Sequence, residues 1–361
     1  MTTKIILYVP QPDSKSTVQA GGQYTAAKGL IDHLTNSKSL FEVVNTTPSK
    51  TNQSRLSKVF AAVDRIYKVV RLAKADKSIV FAFTGSFYSI FERLILSLVA
   101  RSELALSFRN SEILYLPPKS IKGRLVSLAL SRAKVIFVQG EKLKLHLELF
   151  GVTPLKVEVV PNWLPSNYDI SDNFIKNVTT ETVINFIMVA RIVKAKGIFE
   201  FIKAINLLGD NKAKIKVNIL GGGEDLNEAK NYSKSLGLSE VVNFTGWVNT
   251  EETKQALNNA HIFVLPSYNE GFPNSILEAM SLGLPIISTD VGAITESVKD
   301  FENGFIAKVK DSESLCSCML NYITQPELIS QQSKKSLMMV SKRHNRERNC
   351  ERLISRLFRN Y

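Results

Sequence analysis

The segment His261-Ile-Phe-Val-Leu265-Pro266-Ser-Tyr-Asn-Glu270-Gly-Phe-Pro273-Asn-Ser-Ile-Leu-Glu278-Ala-Met280 reads as an apolar strand, a polar loop and a helix. Pro273 suits the first turn of that helix, where a missing N–H removes no intrahelical bond. The backbone N–H groups of the first turn have no partner inside the helix, and the helix dipole makes that end a seat for an anion. Two carboxylates flank it, Glu270 in the loop before and Glu278 inside the helix. Outward N–H groups suit a phosphate or sugar oxygen, and acceptors on either side suit hydroxyls. Phosphate flanked by sugar hydroxyls describes a nucleotide sugar. Taken alone, a strand–loop–helix with two glutamates also occurs in α/β proteins that bind nothing there, so the neighbouring loops decide.

Three further loops leave the ends of expected strands. Val189-Ala-Arg191-Ile-Val-Lys-Ala-Lys196-Gly197 places a planar guanidinium and a compact ammonium on one turn, from which both reach a single pyrophosphate. A solvated basic turn, with Lys194 as its surface neighbour, is the other reading of the same residues. Gly221-Gly222-Gly223-Glu224 allows a ligand close to the backbone. Val241-Val-Asn-Phe-Thr245-Gly246-Trp247-Val248 offers amides to the edge of a base. In open parallel sheets ligands gather beyond the carboxyl ends of the strands, so four such loops point to one shared site.

At these residues the chain resembles the retaining glycosyltransferases of family 4, which have the GT-B fold. The resemblance rests on Glu-x7-Glu (Glu270, Glu278) within Pro-Ser-x-x-Glu-Gly-Phe-Pro-x-x-x-Leu-Glu-Ala-Met, and on Arg-x4-Lys-Gly at Arg191, Lys196 and Gly197. It continues through Gly283-Leu-Pro285-Ile-Ile-Ser288-Thr-Asp290-Val-Gly292, Glu296 and Asn303-Gly304, and is closest over residues 183 to 306. It implies an α/β chain of two facing Rossmann-like, doubly wound domains with the donor site in the cleft. It further implies that Arg191 and Lys196 hold the donor diphosphate, that Glu270 accepts from the sugar hydroxyls and Glu278 from the ribose. Backbone groups at Gly271, Phe272, Pro273, Asn274 and Ser275 would line sugar and phosphate. The loop of Gly246, Trp247 and Val248, with Gly222 nearby, would hold the base. Gly21 and Gly22, after the strand Lys4 to Val9, match the glycine loop that approaches the reacting sugar and acceptor.

One departure stands out. Relatives carry a His after the fourth strand of the first domain, whereas this chain reads Leu104-Ala-Leu-Ser-Phe-Arg109-Asn110. Arg109 or Asn110 is then the candidate for that space. The four histidines, His33, His146, His261 and His344, fall at positions better suited to structural or surface roles. Breaking the anomeric C–O bond puts negative charge on the departing diphosphate, and a helix N-terminus with Arg191 and Lys196 stabilises it electrostatically. With no Asp-x-Asp pair, no metal and no cofactor are expected. A covalent route to retention needs a carboxylate on the opposite sugar face, and no residue stands out for it. The family's account is same-face attack assisted by the leaving phosphate.

The 361 residues suffice for two cores. Strands are expected near 4–9, 40–45, 78–83, 104–109, 134–138 and 156–160, then 183–190, 214–220, 241–245, 261–265, 285–289 and 304–309, with helices between. Val160-Pro-Asn-Trp-Leu-Pro165 breaks the pattern. It divides an acceptor-binding domain (1–165) from a nucleotide-sugar domain (166–344), and the resemblance implies a last helix, near 345–361, that crosses back onto the first. Ile79 to Val99 is the most apolar run, but Glu92 and Arg93 make it a strand and a buried helix rather than a membrane span. No signal peptide is expected before Lys4. Three cysteines, an odd number, argue for reduced thiols in a cytosol.

The net charge of +13 is uneven: residues 1–166 hold 23 Lys and Arg against 11 Asp and Glu. Lys334 to Tyr361 adds nine basic residues against two acidic ones. Such a domain suits an anionic membrane surface and a lipid-linked acceptor at the cytoplasmic face; no nucleic-acid module is present. Arg55 to Arg71 is a basic amphipathic helix, a kind that ordinarily packs its apolar face on the core. The resemblance, together with the charge, thus implies a transferase moving a hexose or derivative from a UDP- or GDP-sugar to a lipid-linked glycan or lipopolysaccharide. A non-catalytic nucleotide-sugar-binding subunit of the same fold is the alternative. A nicotinamide dehydrogenase would need Gly-x-Gly-x-x-Gly, which Ala20-Gly-Gly-Gln lacks.

Overall fold

The structure is a computed structural model that describes residues 3–11, 22–47, 54–73, 78–100, 102–165, 167–168, 170, 174–176, 178–179 and 183–359. The chain divides into two compact units, Met1–Pro165 with Arg346–Tyr361, and Ser166–Asn345.

The first unit alternates β1 (Lys4–Val9), α1 (Gly22–Asn36), β2 (Phe41–Asn45), α2 (Arg55–Ala73), β3 (Ser78–Thr84), α3 (Phe87–Val99), β4 (Glu103–Phe108), α4 (Ile121–Ser131), β5 (Val135–Val138), α5 (Glu141–Glu148) and β6 (Val157–Val159). Its parallel sheet has the order β2-β1-β3-β4-β5-β6. β3 reads Ser-Ile-Val-Phe-Ala-Phe-Thr and is buried along its whole length, as strands covered by helices on both faces must be. Side chains of opposite parity feed two cores. One lies under α2 to α5 and includes Ile6, Val80 and Leu106; the other lies under α1 and includes Ile5, Phe81 and Phe137. The helices start where short polar side chains cap them: Ser86 accepts from Ser89 N, and Ser120 from Gly123 N.

The second unit contains β7 (Ile184–Val189), α6 (Ile198–Leu207), β8 (Ile215–Leu220), α7 (Leu226–Ser235), β9 (Val242–Gly246), α8 (Thr250–Asn259), β10 (Ile262–Leu265), α9 (Asn274–Ser281), β11 (Ile286–Thr289), β12 (Gly304–Ala307), α10 (Ser312–Thr324) and α11 (Glu327–Arg343). Its sheet runs β12-β11-β10-β7-β8-β9, all parallel. The strand order reverses between β7 and β10, so the loops after those two strands diverge and leave a crevice.

The final helix, α12 (Arg346–Phe358), packs in the first unit, where Cys350, Leu353 and Leu357 complete the core under α1. Asn349 donates to Pro161 O at 3.3 Å, and Arg352 Nε to Glu158 Oε1 at 2.6 Å. All twelve expected strands form, each within two or three residues of its expected ends. Three local readings need correction. Pro273 is the N-cap of α9, one residue before the first turn, with φ −75° and ψ 129°. α3 is only half buried, because Tyr88, Phe91 and Leu98 face outward. α2 packs through Ile66, Val69, Leu72 and Ala73, yet leaves Leu56, Val59, Phe60, Val63 and Tyr67 exposed. The three cysteines are unbridged and buried, and among the described residues no helix is long and apolar enough to cross a membrane.

Candidate donor site

Each loop of the second unit that the sequence singled out lies at the carboxyl end of a strand, and backbone hydrogen bonds tie these loops together. Between the β7 and β8 loops, Ile192 N donates to Gly222 O at 2.9 Å and Asp225 N to Ile192 O at 3.2 Å. Asp225 Oδ2 accepts from Lys194 N at 2.6 Å. Gly221 N donates to Gly246 O at 2.8 Å, which joins the β8 and β9 loops. Across the switch point, Tyr268 N donates to Ala195 O at 2.8 Å. Gly197, at φ 73°, packs so closely that a Cβ would collide with Pro266 O, a place where only glycine fits.

This stitching brings Lys196 and Glu270 together. Lys196 Nζ is ion-paired with Glu270 Oε1, and the same oxygen accepts from Ser267 Oγ at 2.8 Å. Thr289 Oγ1 donates to Ser267 O at 2.6 Å and fixes the loop from below. The Glu270 side chain is 10% exposed and that of Lys196 25%, so the pair sits at the lip of the crevice. Arg191 extends from the same loop into solvent, its Nη2 3.8 Å from Glu224 Oε2. It shares the loop but not the pair.

Glu278 lies in the second turn of α9. Burial pushes its carboxyl up to about 7, while the neighbouring Tyr168 hydroxyl pulls the other way. Desolvation favours the protonated form of a carboxyl that loses water on most sides. The N-cap residue Pro273 has no side chain able to cap α9. The Phe272 ring is buried against His344, with centroids 5.1 Å apart, while Gly271 and Pro273 to Ser275 around it are half-buried. Trp247 is 55% exposed, and its indole covers Gly222, where a Cβ would strike Nε1. Val248 follows it in the same loop.

In the first unit, Gly22 opens α1, while Gly21 lies outside the described residues. The Arg109 guanidinium is sandwiched between the rings of Phe83 and Trp163, 4.6 and 4.5 Å from their centroids. Its Nη1 donates to Asn162 Oδ1 at 2.6 Å, an acceptor it shares with Gln139. Burial pulls its ionisation down to about 10. Arg109 is therefore committed to the core of its own unit. Asn110 covers Gly85 and donates to Glu112 Oε1 at 3.2 Å, which leaves it in the loop layer after β4. The histidines hold structural positions: His146 Nε2 is 3.1 Å from Ile113 O, His261 Nδ1 accepts from Asn185 N, and His344 is buried with Nε2 2.8 Å from Ser297 Oγ.

Sequence reasoning did not single out Ser267, Thr289 or Tyr168. Ser267 stands three residues before Glu270, a spacing that foreshadows a side-chain contact. Tyr168 sits outside any regular element and carries no periodic signal.

Two parallel six-stranded units with this site define the GT-B class of α/β proteins. The Anabaena protein HepE in complex with UDP and glucose shares the fold, with a TM-score of 0.73, 17% identity and 99% of each chain covered. Residues 169–338, nearly all of the second unit, match the family described as glycosyl transferases group 1. Among curated relatives, the N,N'-diacetylbacillosaminyl-diphospho-undecaprenol alpha-1,3-N-acetylgalactosaminyltransferase of Campylobacter jejuni is 30% identical over 234 residues, 64% of this chain and 57% of its own. The UDP-Gal:alpha-D-GlcNAc-diphosphoundecaprenol alpha-1,3-galactosyltransferase of Escherichia coli is 27% identical over 213 residues, 56% of this chain and 54% of its own. The chain thus spans little more than half the length of these relatives.

Proposed function

We propose that the chain is a retaining glycosyltransferase that needs no metal and moves a hexose or derivative from a UDP- or GDP-sugar to a lipid-linked glycan or lipopolysaccharide. The observation that carries this reading is the Lys196–Glu270 pair, held by Ser267 at the switch-point crevice and one loop turn from the N-terminus of α9. A nucleotide sugar exchanges that internal ion pair for one external ion pair and a set of hydrogen bonds. Lys196 turns to the diphosphate, and Glu270 accepts from the sugar hydroxyls. Arg191, exposed on the same loop, swings onto the diphosphate with it. Glu278 accepts from the ribose, and Trp247 with Gly246 and Val248 lines the base. The sugar and phosphate lie along the backbone of Gly271, Phe272, Pro273, Asn274 and Ser275.

As the anomeric C–O bond lengthens, the electron pair moves onto the leaving phosphate, where Lys196, Arg191 and the first-turn N–H groups of α9 stabilise it. The acceptor hydroxyl attacks from the same face and passes its proton to the departing phosphate oxygen. Fixed cations take the part that a divalent ion plays elsewhere, so no cofactor is required. In the first unit Asn110, together with Gly21 and Gly22, is the group proposed to meet the sugar and acceptor, since Arg109 is held in the core. UDP is the favoured nucleotide because HepE holds it, and a polyprenyl-diphosphate glycan is the favoured acceptor because both curated relatives are named for one. With α12 included, the first unit has 28 Lys and Arg against 13 Asp and Glu, and the second 18 against 20. Such polarity suits a first unit working at the inner, anionic face of a cytoplasmic membrane.

A thermal-shift titration with UDP, GDP, ADP and NAD in chelator tests the reading, because a ligand of the folded state raises the melting temperature by mass action. Stabilisation by UDP or GDP is the expected result. Stabilisation by NAD alone would overturn it in favour of a dehydrogenase. Binding of UDP without transfer to any lipid-linked acceptor would leave only a nucleotide-sugar-binding subunit.

A further inference from the structure

The outer helical layer of the first unit leaves apolar surface uncovered. α2, α3 and α4 all pack on one side of the sheet, with α3 touching both of the others. Each carries a second apolar stripe directed away from that core. On α2 it is Leu56, Val59, Phe60, Val63 and Tyr67, spaced i, i+3, i+4, i+7 and i+11. On α3 it runs from Tyr88 through Phe91 and Ile95 to Leu98, and on α4 from Ile121 to Leu128. The most exposed of these are in the first turns, Leu56 at 72%, Tyr88 at 81% and Ile121 at 82%, with Phe60 in the second turn of α2 at 72%. In a parallel sheet the first turn of each helix follows the carboxyl end of a strand. These side chains therefore share the edge of the unit that also bears Gly22, Gly85 and Asn110. Single exposed apolar residues are ordinary, but three adjacent stripes form a patch that marks an interaction surface.

The charge around the patch identifies its partner. Arg55–Ala73 holds five basic residues and one acidic, and residues 117–134 hold five basic and none acidic. Cations and rings interleave: Lys122 Nζ lies 5.4 Å from the Phe87 centroid, and Phe87 stacks on Phe91 at 6.3 Å. A second copy of the chain on this face would set its cations against themselves, which is costly. Apolar stripes rimmed by Lys and Arg, with aromatic rings among them, match the boundary between anionic headgroups and acyl chains.

We propose that the α2–α3–α4 face docks the first unit on an anionic bilayer, with Phe60, Tyr88 and Ile121 entering the acyl boundary and Lys58, Lys122 and Arg124 meeting the headgroups. This deepens the membrane clause of the proposed function and rests on it, but is independent of the donor site. It adds an apolar, insertion-dependent component to an attraction that charge alone would make purely electrostatic.

The test is flotation of the full chain with phosphatidylcholine vesicles and with vesicles of about one third phosphatidylglycerol, at about 0.1 M salt. The wild type should float with the anionic vesicles. The double variant Phe60→Ser, Ile121→Ser should lose about tenfold or more of its partition. The single variant Tyr88→Ser, on a different helix, should lose a smaller but measurable part. All three sites are exposed, so the melting temperature and its rise with UDP should match the wild type. Floating of the variants equal to wild type overturns the proposal, as does wild-type protein that ignores both vesicles. Wild-type dimers in sedimentation that the variants abolish would assign the face to a second copy instead. A retained UDP response without flotation defeats the docking face alone, and flotation without a UDP response defeats the donor site alone.

Discussion

Lys196 and Glu270 neutralise each other when no ligand is present, which keeps a half-buried carboxylate and ammonium satisfied and in position. Glu270→Ala should cost about 10²-fold or more in transfer. It should lower the melting temperature only modestly, since Lys196, a quarter exposed, can turn its unpaired charge to solvent; radiolabel transfer beside a thermal melt reads both, and equal activity would remove Glu270 from the site. Lys196→Ala should weaken UDP binding about tenfold, as measured by calorimetry, through the loss of one charge-assisted contact. Glu278 adds a pH dependence. Its folded carboxyl is raised to about 7, so the folded state keeps a proton that the unfolded chain has already lost. The stability from this group is complete below the ordinary carboxylate range and disappears as pH rises through about 7. A ribose hydroxyl prefers the carboxylate form, so UDP affinity should increase from pH 6 to 8, in about the window that the shift defines. UDP titrates in the same range. The decisive quantity is therefore the difference between wild type and Glu278→Gln, and identical pH profiles would exclude Glu278 from the ribose contact. At this scale the loop residues were legible because their spacing is rigid and local. The burial of Arg109 was not, because nothing near it in sequence announces that Phe83 and Trp163 will close over its guanidinium.

Among the elements, the four loops of the second unit behave as one body because each bonds to its neighbours through backbone atoms. Gly197→Ala tests this. The φ of 73° and the Pro266 carbonyl leave no room for a methyl, so the variant should lose about 1–3 kcal/mol of stability. It should lose UDP affinity as well, since Lys196 is the preceding residue. Calorimetric melts and UDP titration on the same sample check both, and an unaltered melt would mean that the loops give way independently. The strands were readable because short apolar runs bounded by Gly, Pro and Asn have few alternatives in an alternating α/β pattern. α2 shows where such reading stops. Its periodicity reveals apolar residues on two sides, but only the packed sheet tells which stripe, Ile66 and Val69 or Phe60 and Val63, becomes core. Pro273 erred by a single residue for a related reason, since both the N-cap and the first turn tolerate its missing N–H.

For the molecule as a whole, the strand order of the second unit explains why its candidate site gathers where it does: β7 and β10 are neighbours in space, seventy-odd residues apart in the chain, and their loops diverge above the sheet. No local pattern specifies that adjacency. It entered the sequence reading through resemblance, while the charge imbalance between halves was plain from counting. α12 makes the first unit discontinuous. Leu353→Ala should cost about 2–5 kcal/mol, and the cost should fall on the first unit, so a calorimetric scan that separates into two transitions should show only one displaced. A shift of both would mean that the units melt as one. The same topology governs biosynthesis. Residues 166–345 can leave the ribosome and fold while the earlier segment still lacks the helix that, with α1, covers one side of its sheet. The usual N-terminal-first order is thereby inverted: the domain begun first is finished last, and until α12 emerges the nascent chain leaves Ala26, Leu30 and Phe137 without the helix that completes their core.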